Sequence, residues 1–307
     1  MNVEGTSEPR TTALPTAERL SRWRSDAARD AFWARAETLA RERLAHPPEA
    51  VDVPTRWGPT RAYRWAGAGT AAADTVVFLH GTGGTGLTWA DYADRLGGRT
   101  VVALDTLGDV GHTRQERPVH GSDDLAAWLA EALDGLGLAR AHLAGTSYGG
   151  FLALTLAARE PGRARSLTLV EPGGLVPLLF GRFLLWGAQA MAASLLPAGP
   201  RGGAARRLRL PAVDDPELMA MLWRSQRDHR ARLVPPEPLD DATLRSIDVP
   251  ALVLVGDRKQ AFDPRAAADR ARLLPRARVE VVPGAGHALA LSHADLVVDR
   301  MLALLGG

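Results

Sequence analysis

The chain has 307 residues, 46% hydrophobic and 23% charged, enough to bury a large core as one domain with an insertion or as two domains. Its 37 basic and 35 acidic side chains leave a formal charge of +2 with no run of five like charges, so nucleic acid is not an expected partner. The absence of cysteine excludes disulfides, thiolate nucleophiles and cysteine-ligated metal.

Met1 to Pro15 is polar and lacks a basic segment followed by an apolar one, so no signal peptide is read and cytoplasm is the expected location. From Ala17 to Ala45, Leu20, Trp23, Ala27, Phe32, Trp33, Leu39 and Leu44 recur at helical spacing among Arg, Asp and Glu. One amphipathic helix or two is expected there, packed on the body of the domain or offered to a partner. Residues 50–55 and 61–65 flank Trp57-Gly58-Pro59 as a hairpin. After a small-residue turn from Gly67 to Asp74, Thr75 to Leu79 is a continuous apolar run, the mark of a strand buried on both faces, and it leads into His80-Gly81-Thr82-Gly83-Gly84. Thr100 to Leu104 is a second such strand, ending in Asp105-Thr106-Leu107-Gly108-Asp109. Ser122-Asp123-Asp124 then caps a helix running through Leu125, Trp128, Leu129 and Leu133 to Gly135.

Arg140 to Ala144 reads as a strand and Phe151 to Ala158 as a buried helix, so Gly145-Thr146-Ser147-Tyr148-Gly149 lies on a strand-to-helix turn. Glycines on either side of Ser147 allow a sharp, strained turn that exposes the hydroxyl, the G-x-S-x-G elbow of a serine nucleophile. The Tyr148 N–H would open the following helix as a free donor facing any oxyanion beside Ser147. The plainer alternative is a glycine-rich turn that happens to hold a serine, in a chain with 31 glycines.

Further strands are expected at Ser166 to Val170, ending in Glu171-Pro172, at Ala251 to Val255, ending in Gly256-Asp257, and at Arg278 to Val282. Alternation of strands with helices gives an α/β class and a mostly parallel sheet covered on both faces. Gly173 to about Ser246 has no strand-like run, is rich in Leu, Met, Trp and Arg, and is broken by seven prolines from Pro197 to Pro238; it reads as a helical lid. Its longest apolar stretch, Leu175 to Pro197, is interrupted by Pro177, Gly181, Arg182 and Gly187, which argues against a membrane span. The expected division is a helical extension over 1–49, a core over 50–172 and 247–307, and the lid over 173–246.

Three features now fall in order: His80-Gly81-Thr82 after an early strand, Ser147 on the elbow, and His287 in Pro283-Gly284-Ala285-Gly286-His287 after the last strand. Over residues 50 to 307 this order resembles the α/β-hydrolase fold. The string Asp105 to Gly111, the lid and Phe262-Asp263-Pro264 further resemble a bacterial esterase-like subgroup with an N-terminal helical extension. The resemblance implies Ser147 as nucleophile, His287 as general base, and the N–H groups of Thr82 and Tyr148 as oxyanion hole, with His80 bracing the adjacent loop. His142 reads as a core or rim residue. His112, His120, His229 and His293 have no metal-ligand spacing, and neither metal nor cofactor is expected.

The family's usual acid position, three residues after the glycine that ends the penultimate strand, is held here by Lys259, the only lysine in the chain. A cation beside His287 would oppose the imidazolium formed during attack. Glu171 is therefore the expected acid, since it ends a strand opening onto the same crevice, with Lys259 paired to it. Asp257 and Asp263 are the rivals; the first reads equally as a solvent-facing residue and the second as a helix N-cap before Pro264.

A serine at the elbow argues against the aspartate-dependent dehalogenases and epoxide hydrolases of this fold. What remains is acyl chemistry on an ester, thioester or lactone through an acyl-Ser147, or, in second place, a biosynthetic acyltransferase or cyclase, or a binding protein without a working acid. The expected partner is a small apolar acyl substrate under a wall formed by Leu175, Leu178, Leu179, Phe180, Phe183, Leu184, Leu185 and Trp186, although these could equally pack only on the core. A homodimer is left open.

Overall fold

The computed structural model describes residues 20–44, 46–67, 74–96 and 98–306. The polar start, the first residues of the expected N-terminal helix and most of the turn from Gly67 to Asp74 lie outside the described residues. Ser25 sets where helix formation begins: its hydroxyl accepts the Ala28 N–H and Asp26 complements the positive helix end, so α1 spans Asp26–Arg43. The stretch before it was expected to be helical; instead Arg22–Trp23 is a short strand, β1.

The expected hairpin is β2 (Glu49–Val53) and β3 (Thr60–Trp65). The continuous apolar runs have no face to offer water, and β4 (Val76–Leu79) and β5 (Val101–Leu104) are buried along their whole length. Between them a 3₁₀ turn leads into α2 (Ala90–Ala93). Then α3 (Ser122–Gly135), β6 (Ala141–Thr146), α4 (Tyr148–Arg159) and β7 (Ala164–Val170) alternate as expected.

The segment that follows is helical: α5 (Phe180–Ser194), α6 (Ala198–Leu208) and α7 (Pro216–Asp228), the last capped by Asp215 with proline in its first turn. It also holds β8 (His229–Arg230), which corrects the expectation that it contains no strand; β8 pairs antiparallel with β1, and Arg24 N–H donates to Asp228 O at 2.6 Å. The chain closes with α8 (Asp241–Ser246), β9 (Ala251–Gly256), α9 (Pro264–Ala271), β10 (Ala277–Val282), α10 (Leu289–Ser292) and α11 (Ala294–Leu305).

Eight strands make one sheet in the order β10-β9-β7-β6-β4-β5-β3-β2. It is parallel from β10 to β5 and antiparallel at the β3 and β2 edge. One face packs on Trp128 and Leu129 of α3 and Leu152 and Leu154 of α4; the other packs on Trp89, Tyr92, Leu289, Val298 and Met301. A third, small cluster of Ala190, Ala193, Ala205, Ala212, Val213 and Met219 joins α5, α6 and α7 and includes Ala288 beside the last loop. No helix among the described residues is long and apolar enough to cross a membrane.

The N-terminal segment ties α7 to the body. Trp23 packs on His229 at 4.9 Å between ring centres, Arg35 pairs with Glu217 at 2.6 Å, and Trp33 stacks on His112 at 4.2 Å. Burial holds both His229 and His142 down to about 4, from an ordinary value of 6.5. Because their folded-state values lie below the unfolded one, the unfolded chain binds more protons between pH about 6.5 and about 4, and stability is lost as pH falls through that window. Urea unfolding at pH 7.5 and pH 5 should show this loss, and His229→Gln should shrink it. An equal loss in the variant would rule out His229 as a contributor.

Candidate active site

The site is built on the turn between β6 and α4. A Cβ on Gly145 would lie 2.3 Å from the Gly149 carbonyl oxygen, and one on Gly149 would lie 2.0 Å from Leu79 O, so neither position accepts a side chain. That close approach forces Ser147 into φ 51° and ψ −115°, strain of about 1–3 kcal/mol that the surroundings must hold. They do so through the backbone: Ser147 N–H donates to Val170 O at 3.2 Å, and Ser147 O accepts from Phe151 N–H at 3.2 Å and Gly173 N–H at 2.8 Å.

Ser147 Oγ lies 3.1 Å from His287 Nε2, and His287 Nδ1 lies 3.3 Å from Glu171 Oε2. With its Nδ1–H donated to the carboxylate, the imidazole leaves Nε2 free to accept the serine proton. Glu171 is 3% exposed and directly follows β7 at φ 50°. Its N–H donates to Leu254 O at 2.8 Å and its Oε1 accepts the Gly256 N–H at 2.5 Å, so both ends of the residue are fixed to β9. The structure therefore brings Ser147, His287 and Glu171 together.

It does not bring the rival carboxylates there. Asp257 is exposed. Asp263 caps α9 by accepting the Ala266 N–H, and its other oxygen meets Lys259 Nζ at 2.5 Å, which holds its carboxyl below the usual range. Lys259 was expected to pair with Glu171; its partner is Asp263, four residues on in the same turn, and it faces solvent.

Thr82, itself exposed, lies on the loop after β4, and a Cβ on neighbouring Gly81 would lie 3.3 Å from Ser147 Cβ, so this loop borders the Ser147 side chain. The Tyr148 N–H opens α4 on the other side. His80 braces the loop by accepting the Thr106 N–H at Nε2, 2.9 Å, and donating from Nδ1 to Gly81 O, 2.8 Å. Asp109 completes the brace: buried, it accepts the Gly83 N–H at 2.9 Å and the Val110 N–H at 2.8 Å. Burial pushes its carboxyl up, against the pull of His80 and the two N–H groups. Asp105 holds the next turn through the Gly86 and His112 N–H groups, each at 2.7 Å. Two aspartates spaced by four around glycine, following a buried strand, are the sequence mark of this brace.

Of the expected apolar wall, Phe183 and Trp186 reach the site, their rings edge-on to His287 at 5.5 and 6.1 Å, joined by Phe262 at 5.4 Å. Leu175 and Leu178 pack into the main core instead, whereas Phe180, Leu184 and Leu185 are 63%, 53% and 59% exposed. The reason is helical geometry. Phe183, Trp186, Ala190 and Ala193 form the inner stripe of α5, leaving Leu184 and Leu185 on its outer side. Gln260, not singled out in the sequence, accepts the His287 N–H at 2.8 Å. Among the described residues no group of three or more His, Asp or Glu is placed to hold a metal ion.

Residues 76–300 match the model of the alpha/beta hydrolase family, and the chain belongs to that family. It is 28% identical over 275 residues to carboxylesterase YbfK of Bacillus subtilis, covering 84% of this chain and 88% of that one. It is 26% identical over 255 residues to the carboxylesterase nap of the same organism, covering 81% and 84%. The crystal structure of carboxylesterase CesB (YbfK) from Bacillus subtilis superposes with a TM-score of 0.74 at 24% identity, over 92% of this chain and 99% of that one. The chain is accordingly a hydrolase of esterase type.

Glu171→Gln would keep the acceptor for Gly256 N–H and turn an amide donor toward His287 Nδ1, which disfavours the required tautomer. A fall in kcat/KM of about 10²- to 10⁴-fold is expected. Asp257→Asn should stay near wild type, and Asp263→Ala should lower stability through the lost cap, with little change in kcat. Collapse of activity in either aspartate variant with Glu171→Gln intact would move the acid elsewhere.

Proposed function

We propose that this α/β hydrolase is a serine carboxylesterase that passes the apolar acyl group of a small ester to Ser147 and then to water. The observation that carries this reading is the hydrogen-bonded chain from Ser147 Oγ through His287 to Glu171, at 3.1 and 3.3 Å. In the first half, His287 Nε2 takes the serine proton as Oγ attacks the ester carbonyl carbon. The charge that develops on the carbonyl oxygen falls between the N–H groups of Thr82 and Tyr148, donors that need no rearrangement when the charge appears. His287 then gives its proton to the departing alkoxide, the C–O bond breaks and the alcohol leaves an acyl-Ser147. In the second half, His287 deprotonates water, the hydroxide attacks the acyl carbon, and Ser147 recovers its proton as the acid departs. Glu171 accepts the His287 Nδ1–H and stabilises the imidazolium in both halves.

Three rings, Phe183, Trp186 and Phe262, stand around His287, which supports an apolar acyl or alcohol group, and we read residues 173–246 as the lid that brings the first two. The similarity to carboxylesterases supports an ester over other acyl compounds. Lys259, exposed and neutralised by Asp263, gives no separate support to acyl transfer or cyclisation.

Ser147→Ala should lower the hydrolysis of p-nitrophenyl butyrate by about 10³-fold or more in a folded protein, and a fluorophosphonate should add to Ser147 alone in the wild type. More than a tenth of the activity left in Ser147→Ala, or no adduct on Ser147, would sink the proposal. Equal kcat/KM for acetyl and octanoyl esters would count against the apolar wall.

A further inference from the structure

Gln260 lies in the turn after β9 and points its amide into the space that Gly286 leaves, since a Cβ on Gly286 would sit 2.2 Å from Gln260 Oε1. Its two ends do different things. Oε1 accepts the backbone N–H of His287 at 2.8 Å, while Nε2 donates to Leu208 O, the last residue of α6, at 3.3 Å. Leu208 O also accepts the indole N–H of Trp186 at 3.0 Å, and Trp186 in turn stands perpendicular to the His287 ring. From the same helix as Trp186, Arg182 Nε donates to Lys259 O at 3.0 Å, next door to Gln260. One carbonyl oxygen at the end of α6 thus gathers α5 and the turn that holds His287.

We propose that Gln260 is a positioning residue that makes the placement of His287 depend on α5 and α6 being seated over the site. Resting on the esterase reading above, this deepens it, because the site is then complete only when those helices are closed. If α5 and α6 lift, Leu208 O leaves with them, and Gln260 keeps one anchor on a side chain with three free torsions, whose freedom opposes holding it in place. The His287 N–H loses its fixed partner, and a shift of about 1 Å in a general base costs on the order of 10²-fold in rate. The substrate class that fits is a monomeric ester small enough to react beneath closed helices, rather than an ester presented at a lipid surface that requires them open.

Amide hydrogen exchange at His287, read by NMR without substrate, tests the coupling directly, and steady-state kinetics test its consequence. Gln260→Met removes both hydrogen bonds and should speed His287 exchange by about 10-fold or more and lower kcat by about 10- to 10²-fold with KM little changed. Gln260→Glu keeps an acceptor for His287 but sets a carboxylate against Leu208 O, and should fall in kcat like Gln260→Met if the link to α6 matters. Trp186→Phe does not touch the His287 N–H, yet should speed its exchange, and its effect on kcat should be less than additive with Gln260→Met because both act through Leu208 O. The wild-type rate should rise smoothly with no jump as a long-chain ester passes its solubility limit. Unchanged His287 exchange in Trp186→Phe, wild-type kcat in Gln260→Glu, or a rate jump at the solubility limit would overturn the proposal. Coupled exchange in a protein without esterase activity would leave Gln260 as a link and sink the esterase reading alone.

Discussion

The contact between Gly149 and the carbonyl of Leu79 is the constraint from which the crevice follows. With no Cβ at Gly149, the first turn of α4 can rest against the end of β4 at a distance no other residue allows. That approach fixes where α4 begins, and so puts Ser147 at positive φ, with its hydroxyl 3.1 Å from His287 Nε2. It also sets the Tyr148 N–H beside the loop after β4, which carries Thr82. The end of β4 and the start of α4 lie side by side there because two backbones are nearly in contact. The cost is local strain, offset by the packed sheet beneath, where β4, β6 and β7 pair in parallel, in unbroken register from His142 to Thr146 on β6.

A second strained residue, Glu171 at φ 50°, belongs to the same arrangement. A carboxylate this buried is costly unless its oxygens are satisfied, and both are, by Gly256 N–H and His287. The turn after β9, where an acid would ordinarily sit, is used otherwise. Asp263 caps α9, Lys259 neutralises it at the surface, and Gln260 holds the backbone of His287. Moving the carboxylate to the end of β7 leaves that turn free to hold an uncharged amide, which can meet an N–H and a carbonyl at once.

The sheet was legible in the sequence because each central strand is apolar on both faces, a pattern no surface segment shares. The elbow and His287 were legible because glycine placement and chain order carry them, and Glu171 because it ends one of those strands. The pairing of Arg22–Trp23 with His229–Arg230 was not, since two residues have no period to read. Nor was the inner face of α5: Phe180, Phe183, Leu184, Leu185 and Trp186 are apolar around most of the helix, so composition could not say which of them turn inward. Gln260 was invisible for another reason. Its position depends on the missing side chain of Gly286 and on a carbonyl 52 residues away, neither of which leaves a local mark.

How α5, α6 and α7 are held also follows from their residues. The buried cluster that joins them to each other and to Ala288 holds five alanines beside Leu210, Val213 and Met219, and each alanine buries little area at about 25 cal/mol per Å². Polar links add to that apolar seat. On one side these are the β1–β8 pairing and the half-exposed Arg35–Glu217 pair, the latter contributing at most about 1 kcal/mol. On the other side they are the hydrogen bonds from Gln260 Nε2 to Leu208 O and from Arg182 Nε to Lys259 O, with the Trp186 N–H joining α5 to α6 at the same Leu208 carbonyl. The first set ties α7 to the N-terminal segment, whose Trp33 also donates to Val110 O beside Asp109. The second ties α5 and α6 to His287. The two ends of the helical segment are therefore anchored to the two halves of the site, the loop carrying Thr82 and the loop carrying His287.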